Sequence, residues 1–128
     1  MKNTILLAIL FGVLFASCKK DKPSSEIIVG QWTLVDHVYN DYYSNTAHIT
    51  TTTGGASNTI FFDENGIAND ALLGSTRQVS YSVQGNYILT LGLDSYEIRT
   101  ITNNVLLLYR KEPGVGNIYE EYTISLKR

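Results

Sequence analysis

From residue 30 onward the chain alternates apolar and polar positions in short runs, each closed by turn-forming residues. Alternation with a period of two is the signature of a strand with one buried face. In the first run, Trp32, Leu34 and Val38 share one face and Val35, His37 and Tyr39 the other. The tryptophan face is expected inward. Asp36 then points inward as well, unless a bulge turns it out. Residues 59–62 form a second short run, ending in Asp63-Glu64-Asn65-Gly66, and Asn-Gly is a strong hairpin signal. Residues 67–73 return. Residues 77–83 place Val79, Tyr81 and Val83 on one face, and after Gln84-Gly85-Asn86 the inward face continues through Tyr87, Leu89 and Leu91. Residues 96–102 lose their phase at Ile101, which predicts a bulge. Residues 105–110 are strongly apolar, and residues 112–117 hold Pro113, Gly114 and Gly116 as a loop. The last run carries Tyr122, Ile124 and Leu126 inward.

Two stretches fit the alternation less well. Residues 40–58 read as a long connection rich in Tyr, Thr, Ser and Gly, within which residues 47–53 suit an edge strand and Gly54-Gly55 break it. Residues 24–29 suit one helical turn with Ser24 as N-cap, placed to cover one end of the fold. The pattern predicts eight consecutive antiparallel strands joined by hairpin turns, or nine with the edge strand. Such an all-β meander can close into an eight-stranded barrel, which removes the exposed edges that would template aggregation.

The first residues follow a different logic. Met1-Lys2-Asn3 is a positive start, and residues 5–15 are an apolar run broken only by Gly12. The run is too short for a bilayer span, which needs about 20 residues, but has the length of a signal-peptide core. Leu14-Phe15-Ala16-Ser17-Cys18 follows, and the single cysteine of the chain stands behind small residues at the cleavage point. This segment resembles a bacterial lipobox, which implies cleavage after Ser17 and lipidation of Cys18 by acyl chains such as palmitate. An acyl chain contributes roughly 0.8 kcal/mol per buried CH₂, and two or more chains anchor firmly. Cys18 is thus an attachment point, and with one cysteine no intrachain disulfide forms. Residues 1–17 are read as leader, 18–26 as a flexible tether and 27–128 as the folded domain.

The chain has 128 residues, 44% hydrophobic and 17% charged, which suits one globular domain. Its net charge is −2. Removal of Lys2 with the leader leaves nine basic residues against twelve acidic ones, a net charge of −3. Without clustered Lys and Arg, nucleic acid is not an expected partner.

The ordered pieces resemble the short lipocalin-like lipoproteins of Gram-negative bacteria. The matching residues are Gly30-Gln31-Trp32-Thr33-Leu34, Ile60-Phe61-Phe62 before Asn65-Gly66, and Tyr81-Ser82-Val83 before Gly85-Asn86. Leu89-Thr90-Leu91, Tyr96-Glu97-Ile98, Asn104-Val105-Leu106-Leu107-Leu108 and a last strand ending at Arg128 follow. The likeness runs from about residue 29 to 128. The domain is shorter than true lipocalins and carries Thr33 where those have an aromatic residue. The resemblance implies an envelope protein, lipid-anchored in the outer membrane and facing the periplasm or the surface. It also implies that Arg128 packs over Trp32 and plugs the closed end, a cation–π contact worth roughly 0.5–2 kcal/mol. The alternative is a solvated chain end.

Candidate chemistry is sparse. His37 and His48 are the only histidines, too few for a zinc site, so no metal or cofactor is expected. His37 is read as an outward strand residue and His48 as a loop residue. Asp63, Asn65, Asn69 and Asp70 do not have EF-hand spacing. No Gly-x-Ser-x-Gly elbow or phosphate loop occurs, and no enzymatic activity is expected. The aromatic residues are the richest feature. Leu34, Phe62, Tyr81, Tyr87, Leu89, Tyr96 and Tyr122 face inward on parity and would line a pocket for a small apolar or amphipathic ligand. They could equally fill a solid barrel. In that case residues 40–58, with Tyr39, Tyr42 and Tyr43 nearby, would contact an envelope protein.

Overall fold

The computed structural model describes residues 22–128; the leader and Cys18 lie outside the described residues. The alternating runs become nine strands. They are β1 (Gly30–Tyr43), β2 (Thr46–Thr53), β3 (Thr59–Phe62), β4 (Ile67–Asp70), β5 (Arg77–Gln84), β6 (Ile88–Leu91), β7 (Asp94–Ile101), β8 (Val105–Pro113) and β9 (Tyr119–Lys127). A short helix, α1 (Ser24–Ile27), precedes them. From β3 to β9 each strand pairs antiparallel with the next. β1 pairs with both β3 and β9, so eight strands close into a barrel. β2 is a ninth strand bonded to β1 alone.

β1 changes partners along its length because of a bulge at Val35. Against β9, Leu34 pairs with Leu126 and Asp36 with Ser125, so Val35 is the extra residue. The bulge turns Asp36 out and shifts the parity of everything after it. His37 then pairs with Ile124 and Tyr39 with Tyr122, residues of the inward face of β9. The reading of His37 and Tyr39 as outward and Val38 as inward is therefore corrected. A second register shift lies between Ile98 and Thr100, two residues before the expected phase change at Ile101.

The edge strand expected at residues 47–53 is present as β2, while the long connection expected around it is corrected to a hairpin. β1 runs on to Tyr43, and Ser44 and Asn45 turn the chain at φ of 51° and 60°. Positive φ at both central residues gives a two-residue turn whose twist matches the flanking strands. At Gly54 the chain leaves β2 and crosses towards β3. Its amide donates to the Val35 carbonyl at 2.9 Å, and a Cβ there would sit 2.0 Å from the Leu34 carbonyl oxygen. Only glycine fits so close to backbone. β8 also continues through residues 110–113, beyond its last partner on β7, which is Glu97 opposite Tyr109. The far ends of β1, β8 and β9 with β2 thus project past the barrel as a four-stranded wing, in the order β2-β1-β9-β8.

The core lies towards the opposite pole. Trp32, Ile60, Phe62, Leu89, Leu106 and Leu126 are fully buried there with Ile28, which follows α1. α1 is capped by Pro23 rather than by the side chain of Ser24. Ser24 is itself buried, and its amide donates to Asn86 Oδ1 at 3.2 Å, so α1 seats on the barrel end as a plug.

Candidate functional site

Two poles of the barrel differ in chemistry. At the closed pole Trp32 is wholly buried and donates its Nε1–H to the Ile28 carbonyl at 2.7 Å. The guanidinium carbon of Arg128 lies 4.0 Å from the Trp32 ring centroid. Its Nη2 donates to the carbonyls of Ile27 at 2.6 Å, Val29 at 2.7 Å and, more weakly, Ile28 at 3.2 Å. These are the carbonyls at the end of α1, which the short helix leaves unpaired. One cation thus ties the helix end to the indole.

At the open pole the wall encloses a cavity of about 440 Å³. Its apolar floor and sides come from Leu34, Leu72, Leu91 and Ile124. Its polar wall holds His37, Tyr96, Tyr122, Asp70, Arg77, Asp94 and Arg110. Each charge has a partner. Arg110 binds Asp94 at 2.6 Å and also the carboxylate of Glu112, and its guanidinium sits 5.2 Å from the Tyr122 ring and 5.7 Å from that of Tyr96. Arg77 binds the buried Asp70 at 2.9 Å, and Asp70 Oδ1 accepts the Leu72 amide at 3.0 Å, which fixes the start of the loop at residues 71–76. Asp70 is thereby an ion-pairing and loop-holding residue.

The imidazole and the two phenols of the lining are held neutral. Burial lowers the pKa of His37, so its imidazole keeps one donor and one acceptor at neutral pH. Burial raises Tyr96, against the opposing pull of Arg110. Tyr122 is pushed up to about 12, chiefly by the hydrogen bond its hydroxyl donates to Glu120 at 2.5 Å, with burial adding to it. The lining therefore offers phenol and imidazole hydrogen bonds, two cations and two anions, and no net charge. Around the mouth the loop tips are apolar, with Leu73 and Leu93 exposed.

The residues expected to line a pocket separate into three groups. Leu34, Tyr96 and Tyr122 line the cavity. Phe62 and Leu89 are sealed in the core, and Tyr81 packs edge-on to Phe62 at 4.8 Å while its hydroxyl reaches the Asp63 carbonyl. Tyr87 is the correction. It is 72% exposed because the turn at residues 85–87 ends β5 before the inward parity resumes at Leu89, and it borders an open groove beside α1. His37, Asp94 and Arg110 were not foreseen. Arg110 was legible, since it continues the inward parity of Leu106 and Leu108; His37 was hidden by the bulge. His48 stacks on Tyr43 at 4.3 Å within the hairpin and does not sit in a loop. Among the described residues no group of three or more His, Cys, Asp or Glu is placed to hold a metal ion, and no helix is long and apolar enough to cross a membrane. Compared with protein-family models, curated proteins and solved structures, the chain matches none.

Proposed function

We propose that this chain is a lipocalin-like envelope protein that holds a small amphipathic molecule in its open-pole cavity and is tethered to the outer membrane by a lipidated Cys18. One observation carries the reading: a cavity of about 440 Å³ with an apolar floor, bounded by an internally compensated polar wall. Ligand sites commonly span ~300–1,000 Å³ and pair an apolar lining with a few fixed polar groups. The absence of net charge on the lining suits a neutral or zwitterionic ligand. Its apolar part would lie against Leu34, Leu91 and Ile124, and its polar part near Arg110 and Tyr122. The role is binding, without catalysis.

The tether fits this arrangement. α1 sits at the closed pole, and residues 18–23 span at most ~20 Å. An anchor at Cys18 would hold the closed pole near the bilayer and turn the cavity away from it.

The test uses the full chain expressed in a Gram-negative host. Metabolic labelling with a clickable fatty acid should mark the wild type and not Cys18→Ser. Mass spectrometry of an organic extract should reveal a co-purifying small molecule, and an apolar fluorescent dye should compete with it. Ile124→Trp, which fills the cavity from one wall, should weaken dye binding at least tenfold while the thermal midpoint stays close to wild type. No extracted molecule together with dye binding unchanged by Ile124→Trp would refute the cavity role.

A further inference from the structure

The wing has two open edges, and they are built differently. On one side the end of β8 carries Arg110, Lys111, Glu112 and Pro113, charged side chains and a proline of the kind that discourages strand addition. On the other side β2 reads Thr-Ala-His-Ile-Thr-Thr-Thr-Thr, all eight residues exposed, with no Asp, Glu, Lys, Arg, Pro or Gly. Five threonines and an isoleucine favour the extended conformation. Among the described residues β2 pairs only with β1, which leaves its second edge bare.

We infer that β2 is a self-association edge, pairing antiparallel with β2 of a second copy of this chain. The geometry defines the register. The Gly54 amide bonds the Val35 carbonyl, and Asp36 pairs opposite Thr53. Bonding alternates along an antiparallel ladder, so residues 46, 48, 50 and 52 turn their backbone groups to β1. The N–H and C=O of Ala47, Ile49, Thr51 and Thr53 therefore point to the open side. A two-fold axis through Thr50 pairs Ala47 with the other copy's Thr53 and Ile49 with its Thr51, and employs all four. An axis midway between two residues opposes bonding to non-bonding positions, and an axis through Ile49 or Thr51 keeps the match but leaves one of the four positions on each strand without a partner within β2.

Charge and closure favour a second copy over an open chain of copies. β2 carries no formal charge, so two identical strands meet without like-charge contact; Thr50 faces Thr50 and His48 faces Thr52. The guarded β8 end offers no matching edge for head-to-tail addition. The contact is isologous and stops at two, giving a continuous sheet through two wings. Both cavities stay open, since the edge lies outside the lining.

The test uses the full chain in membranes of the expressing cell. Thr50→Cys, oxidised with copper phenanthroline, should give a band of twice the monomer mass on a non-reducing gel. His48→Cys, Thr52→Cys and wild type, which retains Cys18, should give at least tenfold less. Thr51→Pro removes only an outward-pointing N–H, so it should cut the Thr50→Cys crosslink at least tenfold without changing the thermal midpoint by more than a few degrees. Ile49→Lys, which leaves the backbone intact and brings two cations together near the axis, should do the same. The inference is overturned by no dimer band from Thr50→Cys, by equal crosslinking at all three positions, by a crosslinked product of another mass, or by full crosslinking in the Ile49→Lys background. It is independent of the cavity, which Ile124→Trp tests separately.

Discussion

Arg128 lies over Trp32 at 4.0 Å and at the same time donates to the Ile27 and Val29 carbonyls. Arg128, just past β9, therefore closes the pole that α1 covers, joining positions about a hundred residues apart in sequence. The guanidinium is planar, so it can stack and donate sideways together, which an ammonium cannot do. Arg128→Ala should lower stability by roughly 1–3 kcal/mol, through the lost cation–π contact and the unpaired carbonyls. Arg128→Lys should recover less than half of it. Urea denaturation followed by Trp32 fluorescence measures both; variants within a few tenths of wild type would show that the chain end carries no closing role.

Gly54 marks where two strands share one side of β1. A methyl group there would meet the Leu34 carbonyl oxygen at 2.0 Å, its carbon at 2.5 Å and the Leu34 Cβ at 2.7 Å, none of which can rotate away. Gly54→Ala should cost roughly 2–4 kcal/mol. Gly74 provides the control, since a Cβ there meets nothing within 4 Å and only its φ of +100° resists substitution. Gly74→Ala should cost about 1 kcal/mol. Thermal melts of the two variants decide the comparison, and equal losses would contradict the crowding.

His37 predicts how stability responds to acid. Burial lowers its pKa in the folded chain, whereas the unfolded chain keeps the ordinary value of 6.5. The unfolded state then binds the proton first as pH falls. Stability from His37 is complete above about pH 6.5, declines below it, and stops declining once pH has passed the lowered folded value. His37→Gln should flatten this part of the stability–pH curve while leaving the decline at lower pH, where carboxylates titrate. A curve in which wild type and variant run parallel from pH 7 to 5 would rule out the buried imidazole.

How far the molecule was legible follows from which signals are local. Alternation is local, so the meander, the Asn65-Gly66 hairpin and the inward set Trp32, Leu34, Leu89, Leu91 and Leu126 could be read directly. The bulge at Val35 had one local mark, Asp36 at an inward position, but its effect on the faces of the residues after it appears only against the register of β9. That one residue reversed the faces of His37, Val38 and Tyr39, and so brought His37 to the cavity wall. The hairpin at residues 40–58 was masked for another reason. Ser44-Asn45 turns without glycine, and threonines exposed on both faces of β2 show no alternation. The ion pairs Arg77–Asp70 and Arg110–Asp94 join residues of different strands or turns, and only closure of the barrel brings them to one cavity.

Asp70 supplies the last comparison, between a buried anion and its exposed partner. Its side chain is 8% exposed and that of Arg77 is 56% exposed. Oδ1 holds the buried Leu72 amide and Oδ2 holds the guanidinium. Removing Arg77 leaves the carboxylate still bonded to one amide, and an ion pair with so exposed a partner is screened, so Arg77→Ala should cost about 1 kcal/mol. Removing Asp70 strands a buried N–H and releases the loop at residues 71–76 that forms one side of the cavity. Asp70→Ala should therefore cost roughly 2–4 kcal/mol and weaken dye binding as well. Asp70→Asn, which keeps an acceptor for Leu72, should fall between them. Urea denaturation and dye titration of the three variants test this order, and an Arg77→Ala loss equal to that of Asp70→Ala would assign the stability to the ion pair in place of the amide.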